Sequence, residues 1–446
     1  MRNSKNRDKL LLIFSIIVAI CVAVAFALAE RQPDRPAGTE PDDTDSAVFS
    51  DITSDITDEI TTAKVTDAPV TTEEPVTEPP ATEPPTTEPP PPVEKVISVL
   101  ACGDNLLYRP NTFEADERAT DGKRSYTFTY ENVRELLSSA DISFINQETL
   151  LCGGNTGYPL FNSPFEVADT LAELGFDVAN IATNHMLDVG YDYGVYSTGE
   201  GIAVSRKTLE DKGILAIGGY DSEDDFKSIR IIEREGVRIA FLAFTDSTNT
   251  IKLSPDSDIY IPYLTEENVR TAVSLAKEMA DVVIVSAHWG VDSSRNVTDE
   301  QRTFAKLFAD LGVDAVIGHH SHIVHPIEWI EGKDGNKMLC AYSLGNFIGI
   351  MEYPLTVLGG ILTFDIHTLE GSEPWIENVG FVPTVYHYNR YYRNNVIYYL
   401  EDYTTDLADE HGVYLCYYNR FTVEELSEYL EDTVGKEFLR SKNDYR

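Results

Sequence analysis

The sequence predicts an α/β domain, central sheets covered by helices, over residues 95–385. From Lys95 onward, short apolar or β-branched runs bounded by turn residues alternate with helix-period stretches. That alternation sets strands between layers of helix. Polar residues of metal-ligand chemistry follow directly after five of those runs, which is where open α/β sheets gather their ligands.

Taken in order, residues 1–30 place Arg2, Lys5, Arg7 and Lys9 ahead of an uncharged apolar run, 10–29. That run is long enough to span a bilayer as a helix, so a signal anchor is expected, with the positive flank in the cytoplasm and the rest of the chain extracytoplasmic. Ala27 and Ala29 before Glu30 make a cleaved signal peptide and a secreted product the alternative. Cys21 lies mid-span behind Ile20, which is too bulky for lipoprotein processing. Residues 31–94 are Thr, Pro and Glu with almost no large apolar side chains, a composition that cannot bury enough surface to fold. A disordered stalk is expected there, reaching about 45 Å as a coil.

Residues 1–30 carry +2 and residues 31–94 carry −13, leaving −28 of the chain's −39 on the remainder. A domain this acidic excludes broad binding to nucleic acid or to anionic lipid, but it suits divalent cations. Five cysteines, one of them in the apolar run, do not form a disulfide framework for 446 residues. Cys102 and Cys340 sit in strand-like runs and read as buried thiols.

The strand candidates are "VISVLACG", "ISFIN", "VANIA", "ILAIGG", "RIAFLAF", "VVIVSAH", "AVIGHH" and "LCAYSLG". Between them, "SPFEVADTLAELG" reads as a helix with Ser163 as N-cap, Pro164 in the first turn, Glu166 as the capping-box acid and Gly175 as its stop. "TDEQRTFAKLFADLG" repeats the plan with Thr298, Gln301 and Gly312. Residues 386–446 open on the tyrosine-rich "YHYNRYYRNNVIYYLEDY" and end on a capped helix, "TVEELSEYLEDTVGKEFL". They are expected to form an appendage packed on the main domain, with tyrosines at a half-buried edge.

The ligand-type residues are Asp104 after "VISVLACG", Asn146 and Glu148 after "ISFI", Asn184, His185 and Asp188 after "VANIAT", His288 after "VVIVSA", and His319 and His322 after "AVIG". This donor set suits Mn, Zn or Fe and is large enough for two ions. Two such ions clamp a phosphoryl oxygen and lower the pKa of a bound water. His185 would then protonate a leaving oxygen, with Asp188 fixing its tautomer, and the reaction class is metal-assisted hydrolysis. His320 and His325 read as bystanders, and His367, His387 and His411 receive no role.

The motifs "GDNLLYR", "NQETLL", "TNHMLDVG", "AHWGVD", "GHHSHIVHPIE" and "YSLGNFI", in this order, resemble the CapA family of poly-γ-glutamate capsule synthesis proteins, across about residues 96–385. That family resembles a branch of the calcineurin-like metallophosphatases, which implies a four-layered α/β/β/α sandwich. The resemblance implies metal ligation by Asp104, Asn146, Glu148, Asn184, His288, His319 and His322, and catalytic roles for His185 and Asp188. It also implies an anion-binding role for Arg109 and a place in the site floor for Asn346. Three departures bear on the site. Asp292 stands where glutamate is common after H-W-G, Leu106 replaces the histidine of the D-x-H signature, and N-x-E replaces the second-strand aspartate.

The resulting expectation is a membrane-anchored, extracytoplasmic CapA-like protein in synthesis, export or anchoring of a poly-γ-glutamate-type surface polymer. Its expected partners are the membrane, a membrane polymer synthase, and an anionic polymer or phosphoester. An exported metal-dependent phosphoesterase or amide hydrolase without a capsule role, and a non-catalytic scaffold of a synthase, are the alternatives.

Overall fold

The computed structural model describes residues 94–120, 122–191 and 195–444. All described residues belong to one compact unit. The expected membrane span and all of the stalk before Glu94 lie outside the described residues. No helix among the described residues is long and apolar enough to cross a membrane.

Two sheets dominate. The first has eight strands, in the order Val396–Tyr399, Trp375–His387, Leu358–Thr368, Lys95–Asn105, Ile142–Asn146, Val178–Asn180 and Leu215–Ile217, with Asn346–Ile348 also pairing the Lys95–Asn105 strand. The second has six, in the order Ile327–Glu331, Lys337–Ala341, Ala315–His319, Val282–His288, Val237–Thr245 and Arg230–Arg234. Each expected strand run contributes to one of these, because a central strand buried on both faces must be apolar along its whole length.

Alternation along the strands assigns the layers. Val99 and Ala101 pack into one core with Ile239, Phe241, Ile284 and Ile317 of the other sheet. Their neighbours Leu100 and Cys102 face the opposite way, against Leu136, Val167 and Leu171. On the far side, Leu242, Val283 and Val316 pack against Val269, Ala272, Ala305 and Phe308. The sequence of layers is therefore helix, sheet, sheet, helix. Cys102 and Cys340 are buried in it, and the four cysteines of the described residues are free thiols.

The helix Asp299–Asp310 has the expected reciprocal cap between Thr298 and Gln301, and Val423–Thr433 has the same cap between Thr422 and Glu425. The third cap differs from expectation. The helix begins at Glu166 after Phe165, with no side-chain cap, because Ser163 is drawn into a short ladder with Leu151 and its hydroxyl pairs with Thr149 at 2.8 Å. The expected boundary at 385 also falls inside a strand. Trp375–His387 runs through it, and Val396–Tyr399, inside the expected appendage, is the edge strand of the same sheet.

Parallel pairing aligns the strand ends. Asp104 is in register with Asn146, Asn146 with Asn180, and His288 with His319. Gly103 makes this possible in the first sheet. A Cβ there would lie 2.1 Å from the Gly345 carbonyl oxygen, the same atom that accepts the Asp104 amide at 2.9 Å. Gly103→Ala should destabilise the domain by about 1–3 kcal/mol, read by denaturant unfolding, since the neighbour is backbone and cannot rotate away.

Candidate metal centre

The carboxyl ends of the parallel strands bring together Asp104, Asn146, Glu148, His288, His319 and His322, all buried. Asp104 is the hub. Its Oδ1 accepts Asn146 Nδ2 at 2.8 Å and lies 3.4 Å from His319 Nδ1, while its Oδ2 lies 3.1 Å from His322 Nδ1. Asn180 Nδ2 donates to Asn146 Oδ1 at 2.7 Å and so fixes that amide's orientation. Asn184 Oδ1 is 3.0 Å from His288 Nε2. Glu148 Oε1 lies 3.7 Å from both His288 Nε2 and His322 Nε2.

Several of these groups are left unsatisfied. Both oxygens of Glu148, both ring nitrogens of His319 and Nδ1 of His320 are buried without a hydrogen-bond partner. Isolated buried polar atoms are costly, and orphans gathered in one place fit an absent electrophile better than a packing defect. Glu148, His320 and His322 present ligand atoms all within 4.8 Å of one another. Carboxylate, imidazole and amide donors together suit a borderline divalent ion, so the residues present fit such a metal.

The electrostatics agree. Burial, together with the Asp104, Asp292 and Asp188 charges, pushes the Glu148 carboxyl well above the usual carboxylate range despite the pull of His322. Burial opposes charge on His322, yet Glu148 and Asp104 hold its pKa up at about 10. Burial would also raise Asp104, but the adjacent His319 and His322 rings hold it well below its ordinary value. Burial and the neighbouring histidines push His288 down. A proton on His322 thus sits between two carboxylates, a position that a cation can take over with release of that proton.

In sequence His320 reads as a bystander, yet its ring lies 4.8 Å from that of His288 and it belongs to the trio with Glu148 and His322. The backbone explains this. His320 has φ 89 and His322 has φ 57, left-handed values that non-glycine residues adopt rarely and that turn both rings back toward the strand ends. His325 Nε2 is bonded to the Ser294 carbonyl at 2.8 Å, and its Nδ1 is buried without a partner. Asn180 was missed because it sits within a strand run. Asn346 does line the floor: its Oδ1 meets His322 Nδ1 at 3.0 Å, and its Nδ2 is anchored on the Thr356 carbonyl at 2.8 Å.

His185 Nδ1 and Asp188 Oδ2 are 2.7 Å apart, and Asp188 also accepts the Phe161 amide. Burial raises the Asp188 carboxyl against the lowering effect of His185. The Phe161 ring packs edge-on against His185 at 4.7 Å, and Asn249 bridges His185 to Asn184. Arg109 is not brought into hydrogen-bonding contact with the cluster. It opens the helix Arg109–Arg118, is exposed, and lies over the Phe113 ring. Asp292 is exposed, but its charge is felt at Glu148, His320 and His322.

Residues 98–350 match the bacterial capsule synthesis protein PGA_cap family. The chain belongs to that family. Among its relatives, the PGA biosynthesis protein CapA of Bacillus subtilis (strain 168) is 34% identical over 192 residues, 41% of this chain and 45% of that protein. The capsule biosynthesis protein CapA of Bacillus anthracis is 32% identical over 187 residues, 41% of this chain and 42% of that one. The PGA_cap chain thus spans less than half the length of either relative. Among solved structures, the NAD nucleotidase of Haemophilus influenzae overlays 78% of this chain and 57% of its own at 12% identity and a TM-score of 0.41. The calcineurin-like phosphoesterase YfkN of Bacillus subtilis overlays 64% and 91% at 15% identity and a TM-score of 0.35.

Proposed function

We propose that this PGA_cap protein is a membrane-anchored, extracytoplasmic accessory protein in synthesis, export or anchoring of a surface polymer of the poly-γ-glutamate type, working through a divalent-metal centre with a membrane synthase. The observation that carries the metal centre is the buried Glu148 carboxylate, unbonded at both oxygens and set beside His320 and His322. Asp104, Glu148, His288, His319, His320 and His322 would hold the metal, in one or two positions, with Asn146 and Asn184 as amide donors. When bound, a divalent ion supplies Lewis acidity to an anionic or carbonyl oxygen. Asn346 keeps the His322 ring oriented, so Asn346→Ala should weaken metal affinity about 10–100-fold, read by metal titration against a chromogenic chelator.

In a host deleted for its own CapA-like protein, the full chain should restore surface polymer. A Glu148→Ala/His322→Ala double variant that accumulates to the same level should not. Restoration by that variant would shift the reading to a scaffold.

A second reading, an exported metal-dependent phosphoesterase or amide hydrolase, is favoured by the His185 and Asp188 pair. With Asp188 on Nδ1, the ring keeps its Nε2 for proton transfer to a leaving group. Under this reading Asp188→Asn lowers turnover of phosphoesters or γ-glutamyl amides by about 100-fold or more with metal content unchanged.

A further inference from the structure

Tyr108 stands four residues beyond Asp104, between the strand Lys95–Asn105 and the helix Arg109–Arg118 that it caps. Its backbone is fixed: the Tyr108 amide donates to Asn111 Oδ1 at 2.8 Å, and the Tyr108 carbonyl accepts the Asn111 amide at 3.0 Å. Asn111 is held in turn, its Nδ2 donating to the Tyr386 hydroxyl at 2.5 Å. The Tyr108 ring is fixed as well. It packs edge-on against Phe161 at 5.0 Å, and the same buried Phe161 packs edge-on against His185 at 4.7 Å. One phenylalanine therefore holds Tyr108 and His185 on a common wall of the site.

The far end of that ring is uncommitted. Tyr108 is half-buried, yet its hydroxyl has no hydrogen-bond partner among the described residues. Tyrosines removed from water normally find one, and the hydroxyls of Tyr126, Tyr130 and Tyr386 are engaged by Thr112, Asn105 and Asn395. Burial raises the Tyr108 pKa well above the ordinary phenol value, and the charges of Glu148 and Asp292 raise it further. The hydroxyl thus keeps its proton through the neutral range, in the field of the same carboxylate that lies unbonded in the metal centre. An aromatic side chain anchored at its backbone and its ring, with a free donor at its tip, is pre-organised for an acceptor that arrives from outside.

We propose that Tyr108 is a ligand-binding residue of the metal centre, its hydroxyl donating a hydrogen bond to an oxygen of the phosphoryl or carboxyl group that the centre takes. This inference rests on the metal-centre reading above. Phosphoesters and γ-glutamyl chains share that oxyanion chemistry, and a neutral donor recognises it without adding a charge beside His185.

The full chain is first titrated with Mn²⁺ against a chromogenic chelator. The Mn²⁺-loaded protein is then titrated calorimetrically with orthophosphate and, separately, with γ-L-glutamyl-L-glutamate. At least one of the two should bind, and Tyr108→Phe should weaken it about tenfold or more while Mn²⁺ affinity and melting temperature match the parent. Phenylalanine keeps the ring on Phe161, so a packing role alone would leave oxyanion affinity unchanged. Binding of orthophosphate alone assigns a phosphoryl group, and binding of the dipeptide alone a carboxyl group. Unchanged oxyanion affinity in Tyr108→Phe, or no binding of either probe by the Mn²⁺-loaded parent, would overturn the assignment. A parent that takes up no Mn²⁺ in the first titration would refute the metal centre, and this role of Tyr108 with it.

Discussion

Glu148→Gln is expected to make the chelator-treated protein more stable than the parent while removing its response to metal. Burial holds the Glu148 carboxyl well above its ordinary range, and neither oxygen has a hydrogen-bond partner, so its ionised form opposes folding unless a cation meets it. Glutamine keeps two polar atoms there but removes the charge, and lifting the desolvation penalty of a buried ionised group contributes about 1–3 kcal/mol. In EDTA the variant should therefore melt above the parent. With Mn²⁺ or Zn²⁺ at about 100 times the dissociation constant, the parent should gain about 2.7 kcal/mol and the variant almost nothing. Thermal melts in four combinations, parent and variant with and without metal, read the whole prediction. A variant less stable than the parent in EDTA would mean that Glu148 has a structural partner and is not held in readiness for an ion.

The second large effect is acid lability centred on His387 and His411. Burial lowers the His387 pKa to about 4, and burial with the neighbouring His387 lowers His411 to about 3. Both rings are committed as neutral imidazoles. His411 Nδ1 accepts the Val413 amide at 2.9 Å, its Nε2 faces the Tyr386 carbonyl at 3.0 Å, and His387 Nδ1 meets the Tyr403 hydroxyl at 2.8 Å. Unfolded histidine titrates near 6.5, so below that pH the unfolded chain takes up protons that the native state refuses. The stability is fully present above about pH 6.5 and is lost as pH falls toward 4, at up to about 1.4 kcal/mol per pH unit for each ring. Urea unfolding at a series of pH values should show that decline, and His411→Gln should flatten it. A parent profile level between about pH 7 and 5 would refute the assignment.

The strands were legible because a strand covered on both faces has to be apolar along its length, as "VVIVSAH" and "AVIGHH" are. The ligand-type residues were legible because parallel pairing puts every strand's carboxyl end on one edge, so Asp104, Asn146, His288 and His319 converge though distant in sequence. Side-chain direction beyond a strand's end was not legible. Period-two alternation stops there, and the left-handed backbone at His320 and His322 sends both rings into the site. Arg109, expected to meet an anionic group, opens a helix and is exposed, outside hydrogen-bonding contact with the cluster. Ser163 looked like a cap in sequence, but a tertiary partner, Thr149, held its hydroxyl. The tyrosine-rich segment reads as separate from its composition, and only the pairing of Val396–Tyr399 with the preceding strand shows that it finishes the sheet.

Elemental analysis of the purified protein, beside Asp104→Ala and His319→Ala variants, tests the metal centre most directly. One or two equivalents of Mn, Zn or Fe in the parent, lost in both variants without loss of fold, is the result expected. A parent that retains no metal after reconstitution with each of these ions would contradict it, leaving Glu148 and its histidines as a buried polar cluster without an ion.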